Sequence, residues 1–239
     1  MLVLSDDLPL FEKPWLTYAV IAVCVVAFVI QSIAPYGGVA LVLKFGCVPA
    51  IVSGQLSYGG DFGHMHGLLT LLTCAFLHGS VGHLFGNMLF LLTFGKNVEE
   101  SFGRVIYAVF IVLCAIASSL AQVVFNSAST IPEIGASGFI SGIMGAYLVM
   151  FPMAMLTIPF AGLLPVTGRF TARLPAFLVL GMWIVQQGIQ LHDSHLSPGN
   201  GPNIAYWAHM GGFFSGIVGG IFLRWLGLAA TYQPDVAVQ

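Results

Sequence analysis

The sequence predicts an all-α, polytopic integral membrane protein, a bundle of six transmembrane helices. Three observations carry that expectation. Hydrophobic residues make up 58% of the 239 residues and charged residues only 7%, whereas a soluble domain is about one quarter charged. Apolar runs of the length that crosses a bilayer recur along the chain. The basic residues fall on one side of the alternating topology that those runs define.

The first helix is expected over about Trp15–Ala34, after an acidic start, MLVLSDDLPLFEKPW, that lacks the basic opening of a signal peptide. The second is expected over Gly82–Phe94, with a partly buried stretch Leu68–Leu77 before it. Its apolar part is too short to span a bilayer of about 30 Å alone, so its polar start belongs among other helices. The third covers Arg104–Phe125, the fourth Ser137–Met155, the fifth Leu174–Leu191 and the sixth Ala205–Leu226. The long connection Pro35–Gly82 reads as an interface-embedded loop with short helices. The segment Pro152–Thr171, broken by three prolines, reads as a surface or interface run. Residues 1–14 and 227–239 form short tails flanking one membrane domain, 15–226, and neither tail is long enough to bury a core.

With the N-terminus in the cytoplasm, Lys13, Lys96, Arg104, Arg169, Arg173 and Arg224 all lie on the cytoplasmic side and only Lys44 lies outside. Both termini are then cytoplasmic, and the expected location is a bacterial cytoplasmic membrane. The net charge of -2 leaves no basic patch for nucleic acid. The four cysteines form no CxxC pair and no metal spacing. Cys24 and Cys114 read as packing residues, and a Cys47–Cys74 disulfide is left open.

In this topology the second, fourth and sixth helices all enter from the outer face, so their first turns share one depth. Those turns hold the unusual residues. Ionisable groups within a membrane are costly and point to function. His209 precedes a run of apolar and small residues and is placed to act as base to a hydroxyl. Ser137, with Gly135 and Gly138 beside it, is the best nucleophile, since such glycines let the backbone turn sharply and approach a substrate. His83 and Asn87, spaced i and i+4, share one helix face. With the N–H groups at the start of the fourth helix they offer donors to an oxyanion.

Each residue also has a plainer reading. Ser137 taken alone is an N-cap, Asn87 an interhelical hydrogen bond, His209 a packing histidine, and His78 and His83 interface residues. Four such coincidences at one depth favour the chemical reading. Gly212, Gly216 and Gly220 repeat every four residues, as do Gly138, Gly142 and Ala146. Faces of this kind let helices approach closely and would bring Ser137 and His209 together.

From about Pro49 to Arg224 the chain resembles the rhomboid family of intramembrane serine proteases. The resemblance rests on three blocks in order: FLHGSVGHLFGNMLFLLTFGKNVEE, GASGFISGIMGAYLVMFP and WAHMGGFFSGIVGG. It implies a Ser-His dyad of Ser137 and His209, without an aspartate. The oxyanion hole would be formed by Ser137 N–H, His83 and Asn87, with His78 in a mainly structural role. No cofactor and no metal is expected, since the chain carries no metal motif, and the resemblance implies single-pass membrane proteins cut near the outer face as substrates. It says nothing of oligomeric state. The chain departs from the family pattern at Ser141, where an aromatic residue often packs on the histidine. It departs also at Val81, where tryptophan is common, and around His66-Gly67, where a Trp-Arg pair is missing.

Three other readings compete. A catalytically silent relative that binds membrane clients would usually lack the serine or histidine, and this chain keeps both. A metal site from Asp61, His64, His66, His78 and His83 lacks an HExxH helix. A transporter would spread its polar residues along a path across the membrane, with Gln186 and Gln187 unexplained on any reading.

Overall fold

A computed structural model describes residues 3, 5–56, 67–160, 170–196 and 204–230. It is mostly helical. The elements run α1 (Trp15–Ile33), α2 (Val39–Phe45), α3 (Pro49–Val52), α4 (Gly67–Thr73), α5 (Val81–Phe102), α6 (Arg104–Phe125) and α7 (Ser137–Met150), then β1 (Met155–Phe160), β2 (Phe170–Pro175), α8 (Ala176–Leu196) and α9 (Tyr206–Trp225).

Helix α7 is the centre. Every residue from Gly138 to Tyr147 is buried. Its small residues explain how neighbours come so close. A side chain at Gly216 would run into the Gly142 backbone, and one at Gly220 would lie 3.2 Å from the Ala146 Cα. Helix α6 closes the other side, with Cys114 Sγ 2.6 Å from where a Cβ on Gly142 would sit. Close backbone approach of this kind is how helices associate where lipid offers no hydrophobic drive. Around this trio α1 is peripheral, and its Val23, Val26, Val29, Ile30 and Ile33 are exposed. Such a face suits a lipid environment.

Among the described residues two helices, α1 and α6, are long and apolar enough to cross a membrane. The stretches Gly67–Phe76 and Val81–Phe102 meet at 85° and make a third span if counted as one. Helix α7 has 14 residues, about 21 Å of rise, and falls short of a bilayer core. Length and composition therefore return two or three spans, not the expected six.

The all-α expectation also needs correction. The fourth predicted helix stops at Met150, short of the expected Met155, and Pro152 follows it closely. Proline disfavours helix in the residue before it and cannot donate within one. Residues 155–160 and 170–175 then pair as an antiparallel hairpin, Met155 opposite Pro175 and Phe160 opposite Phe170. Ser5 bridges to Thr157 on the outer edge of β1. Leu156 and Ile158 point into the core.

The second predicted helix runs past Phe94 to Phe102, where Gly103 at φ +71° ends it. The sequence Lys96-Asn97-Val98-Glu99-Glu100 looks like a solvated helix end. Instead the N-terminal segment satisfies it. Lys96 pairs with Asp6 at 2.9 Å, and Asn97 and Tyr147 also bond that carboxylate. Glu99 accepts from the backbone N–H of Leu16 at 2.9 Å and Thr17 at 2.7 Å, capping α1. Asp7 joins the hairpin by accepting from Met155 N at 2.8 Å and pairing with Arg173 at 3.1 Å.

The connection after α1 folds as short helices, and Cys47 pairs with Glu133 through both backbone bonds. All four cysteines are buried and free, so the Cys47–Cys74 disulfide does not form. Arg169 and the Asp61, His64 and His66 group lie outside the described residues.

Candidate active site

Ser80 ends the loop before α5 and accepts from His83 N at 3.1 Å, fixing where that helix begins. Asn87 follows one turn later. Gly135 N–H donates to the Cys74 carbonyl at 2.9 Å, which ties the loop before α7 to the end of the α4 segment. Gly135 sits at φ +124°, and a Cβ there would be 2.7 Å from His83 Cε1. Glycine is needed at that position for both reasons.

Ser137 is the first residue of α7, and Ala136 holds the cap position with no side-chain cap bond. The N-cap reading of Ser137 therefore fails. Its hydroxyl lies 2.8 Å from His209 Nε2. Gly138 serves packing: a Cβ there would be 2.8 Å from Ser118 Cβ on α6. Gly212, one turn along α9 from His209, lies against the Gly138 carbonyl. The two small faces meet beside the Ser137–His209 pair.

The fourth-helix hydroxyl at Ser141, where an aromatic residue was missed, donates to the Ser137 carbonyl at 2.6 Å. Other groups hold the imidazole. Trp183 of α8 lies 6.1 Å from it between ring centroids, and Tyr206 meets it edge-on at 6.4 Å. Nδ1 of His209 lies 2.7 Å from Gln187 Oε1. Gln187 is buried and Gln186 exposed, so only one of the unexplained pair reaches the site. The sequence signal was the i, i+4 spacing of Trp183 and Gln187.

A cavity of about 460 Å³ opens over these groups, lined by His83, Asn87, Glu133, Ser137, Trp183 and His209 among others. Asn87 is 8% exposed, and its Nδ2 has no hydrogen-bond partner among the described residues. A buried, unpaired donor facing a cavity is uncommon. His78 is fully buried. Its backbone is held by Gln31, which donates to the His78 carbonyl at 2.8 Å, and its ring meets His83 edge-on at 5.2 Å.

Sequence reading missed Glu133. Its carboxyl accepts from Ser119 at 3.3 Å, and burial pushes it up to about 7 against that hydrogen bond. Among the described residues no cluster of three His, Cys, Asp or Glu side chains could hold a metal.

The fold is a helical membrane protein with a hydroxyl–imidazole pair set in a cavity at the start of a central helix. A family profile described as Rhomboid domain matches residues 62–226. The chain is 30% identical over 161 residues to RHOMBOID-like protein 1 of Arabidopsis thaliana, covering 67% of this chain and 36% of that protein. It is 31% identical over 166 residues to RHOMBOID-like protein 12, mitochondrial, of the same plant, covering 63% and 44%. It is 24% identical over 147 residues to Rhomboid-related protein 2 of Mus musculus, covering 59% and 43%. In each case the match spans less than half of the relative's own length. The chain belongs to the rhomboid family.

Proposed function

We propose that this protein is an intramembrane serine endopeptidase that cleaves transmembrane segments of single-pass membrane proteins. The observation that carries the reading is the 2.8 Å approach of Ser137 Oγ to His209 Nε2. In this mechanism Nε2 takes the Ser137 proton as Oγ attacks the scissile carbonyl. The imidazolium then gives that proton to the leaving amine, and water, activated the same way, releases the acyl group. The developing oxyanion is met by Ser137 N–H in the first turn of α7, by Asn87 Nδ2 and by His83. The unpaired Asn87 Nδ2 supports that role. Neither α7 nor α9 carries Asp or Glu, which fits a dyad.

The domain is 15–226, and six crossings are proposed: α1, the bent α4–α5 pair, α6, α7, α8 and α9. Pairing of Ser5 with Thr157, and of Asp6 with Lys96, supports this count, because it puts the N-terminal segment, the end of α5 and the hairpin at one end of the bundle. The basic residues make that end cytoplasmic, with both termini on that side. The matching relatives are plant and mouse proteins, one of them named mitochondrial, and none of them supports the expected bacterial membrane. The test is incubation of the purified chain in detergent with a generic transmembrane substrate, beside Ser137→Ala. Cleavage by the parent alone supports the reading, and cleavage by neither or by both overturns it.

A further inference from the structure

A neutral imidazole carries one N–H. For His209 to take the Ser137 proton, Nε2 must be bare, so the hydrogen must sit on Nδ1. Nothing in a Ser-His pair alone sets that choice. The two tautomers are close in energy, and which one is present depends on the hydrogen bond made by the other nitrogen. Here that nitrogen lies 2.7 Å from Gln187 Oε1. Gln187 is 7% exposed, so water does not compete freely for the contact. It comes from α8, whereas His209 is on α9 and Ser137 on α7. Trp183, one turn earlier on the same face of α8, flanks the ring at 6.1 Å. Helix α8 therefore approaches the imidazole at two points.

We infer that Gln187 is a positioning residue for the proposed hydrolytic centre, its carboxamide oxygen accepting the Nδ1–H of His209 and so holding Nε2 toward Ser137. The inference rests on the protease reading for its consequence in catalysis, but the hydrogen bond can be read without it. The acceptor serves both protonation states. Nδ1–H donates to Oε1 in the neutral ring and keeps donating in the imidazolium formed when Oγ attacks. The carboxamide does this without adding a charge to a water-poor site, where an unpaired carboxylate is costly. It also stands in for the aromatic packing that Ser141 does not supply, because the ring is oriented from α8 rather than from α7.

The test uses the full chain with Gln187→Leu, which removes the acceptor, and Gln187→Glu, which keeps an acceptor oxygen at the same reach. Gln187→Met is the second variant should the leucine protein fail to fold. The expected result for Gln187→Leu is a fall in kcat of about 10-fold, the worth of one neutral hydrogen bond. KM and Tm stay near parental, and Gln187→Glu restores most of the rate. Nitrogen-15 spectra of the His209 ring should report a single Nδ1–H tautomer in the parent and a mixture in Gln187→Leu. An unchanged tautomer in Gln187→Leu, or equal slowing by Leu and Glu, overturns the inference. A tautomer shift in Gln187→Leu, beside a parent that cleaves nothing, leaves the Gln187 assignment standing and overturns the protease reading instead.

Discussion

Gly212 of α9 lies directly against the backbone carbonyl of Gly138 in α7, one residue beyond Ser137. No side chain fits between the two helices there. The pairing of Ser137 with His209 depends on that approach, because each residue is fixed to its own helix by ordinary helical geometry.

Gly212→Val should therefore cost on the order of 10²-fold in cleavage rate, since a displacement of about 1 Å misaligns reacting groups. Tm should fall with it. Gly211→Val should also damage the protein, because a side chain at Gly211 would strike Ala121 of α6. Gly181→Ala is the control, as a Cβ there meets nothing within 4 Å. Parental rate and Tm in Gly212→Val would mean that the α7–α9 approach does not govern the site.

Ser137→Ala should abolish cleavage and labelling by a fluorophosphonate probe while the protein still purifies at parental yield. The hydroxyl touches only the site, so its loss leaves packing intact. Residual turnover at the parental level would remove Ser137 from the mechanism.

Activity should persist in EDTA. The proposed steps use only Ser137, His209 and hydrogen-bond donors, and a zinc-activated water would need three protein ligands. Loss of cleavage in chelator, restored by zinc, would contradict the dyad.

Asn87→Ala should slow turnover without abolishing it. One oxyanion donor is worth about 10²–10³ in rate, and other donors remain. Unchanged kcat in a well-folded variant would reduce Asn87 to a packing residue.

Glu133 gives a stability prediction. Its native carboxyl is raised from 4.5 to about 7 by burial. Between those values the folded state holds more protons than the unfolded state, so stability falls as pH rises through that window and levels off above it. Glu133→Gln removes the titration. Its Tm should match the parent near pH 4 and exceed it by a few degrees at pH 8, as read by thermal melts across that range. Parallel melts at every pH would show that burial of Glu133 carries no such cost.

Much of the site geometry was legible because it is written in local spacing. Ser137, His83 and His209 sit in the first turns of three helices that run the same way, with Asn87 one turn after His83, and a strict four-residue repeat of small side chains marks the faces that meet. What was not legible depends on partners far along the chain. The run from Lys96 to Phe102 looks like a solvated helix end until Asp6 and the amides before α1 come to it. The hairpin was hidden by three prolines, and an isolated bridge from distant Ser5 meets its edge. Gln187 was visible as a polar residue in an apolar helix, but its role needed the angle at which α8 reaches His209. Glu133 gave no pattern at all.

The docking of the N-terminal segment has a consequence in time. Ser5 pairs with Thr157, and Asp6 bonds Lys96, Asn97 and Tyr147. A chain made from its N-terminus has none of these partners until most of the bundle has been synthesised, and contacts so distant in sequence form slowly. This segment is made before its partners and is thus the last to settle. Its amides should gain protection from exchange only after β1 has emerged, so docking of this segment marks the completion of assembly rather than its beginning.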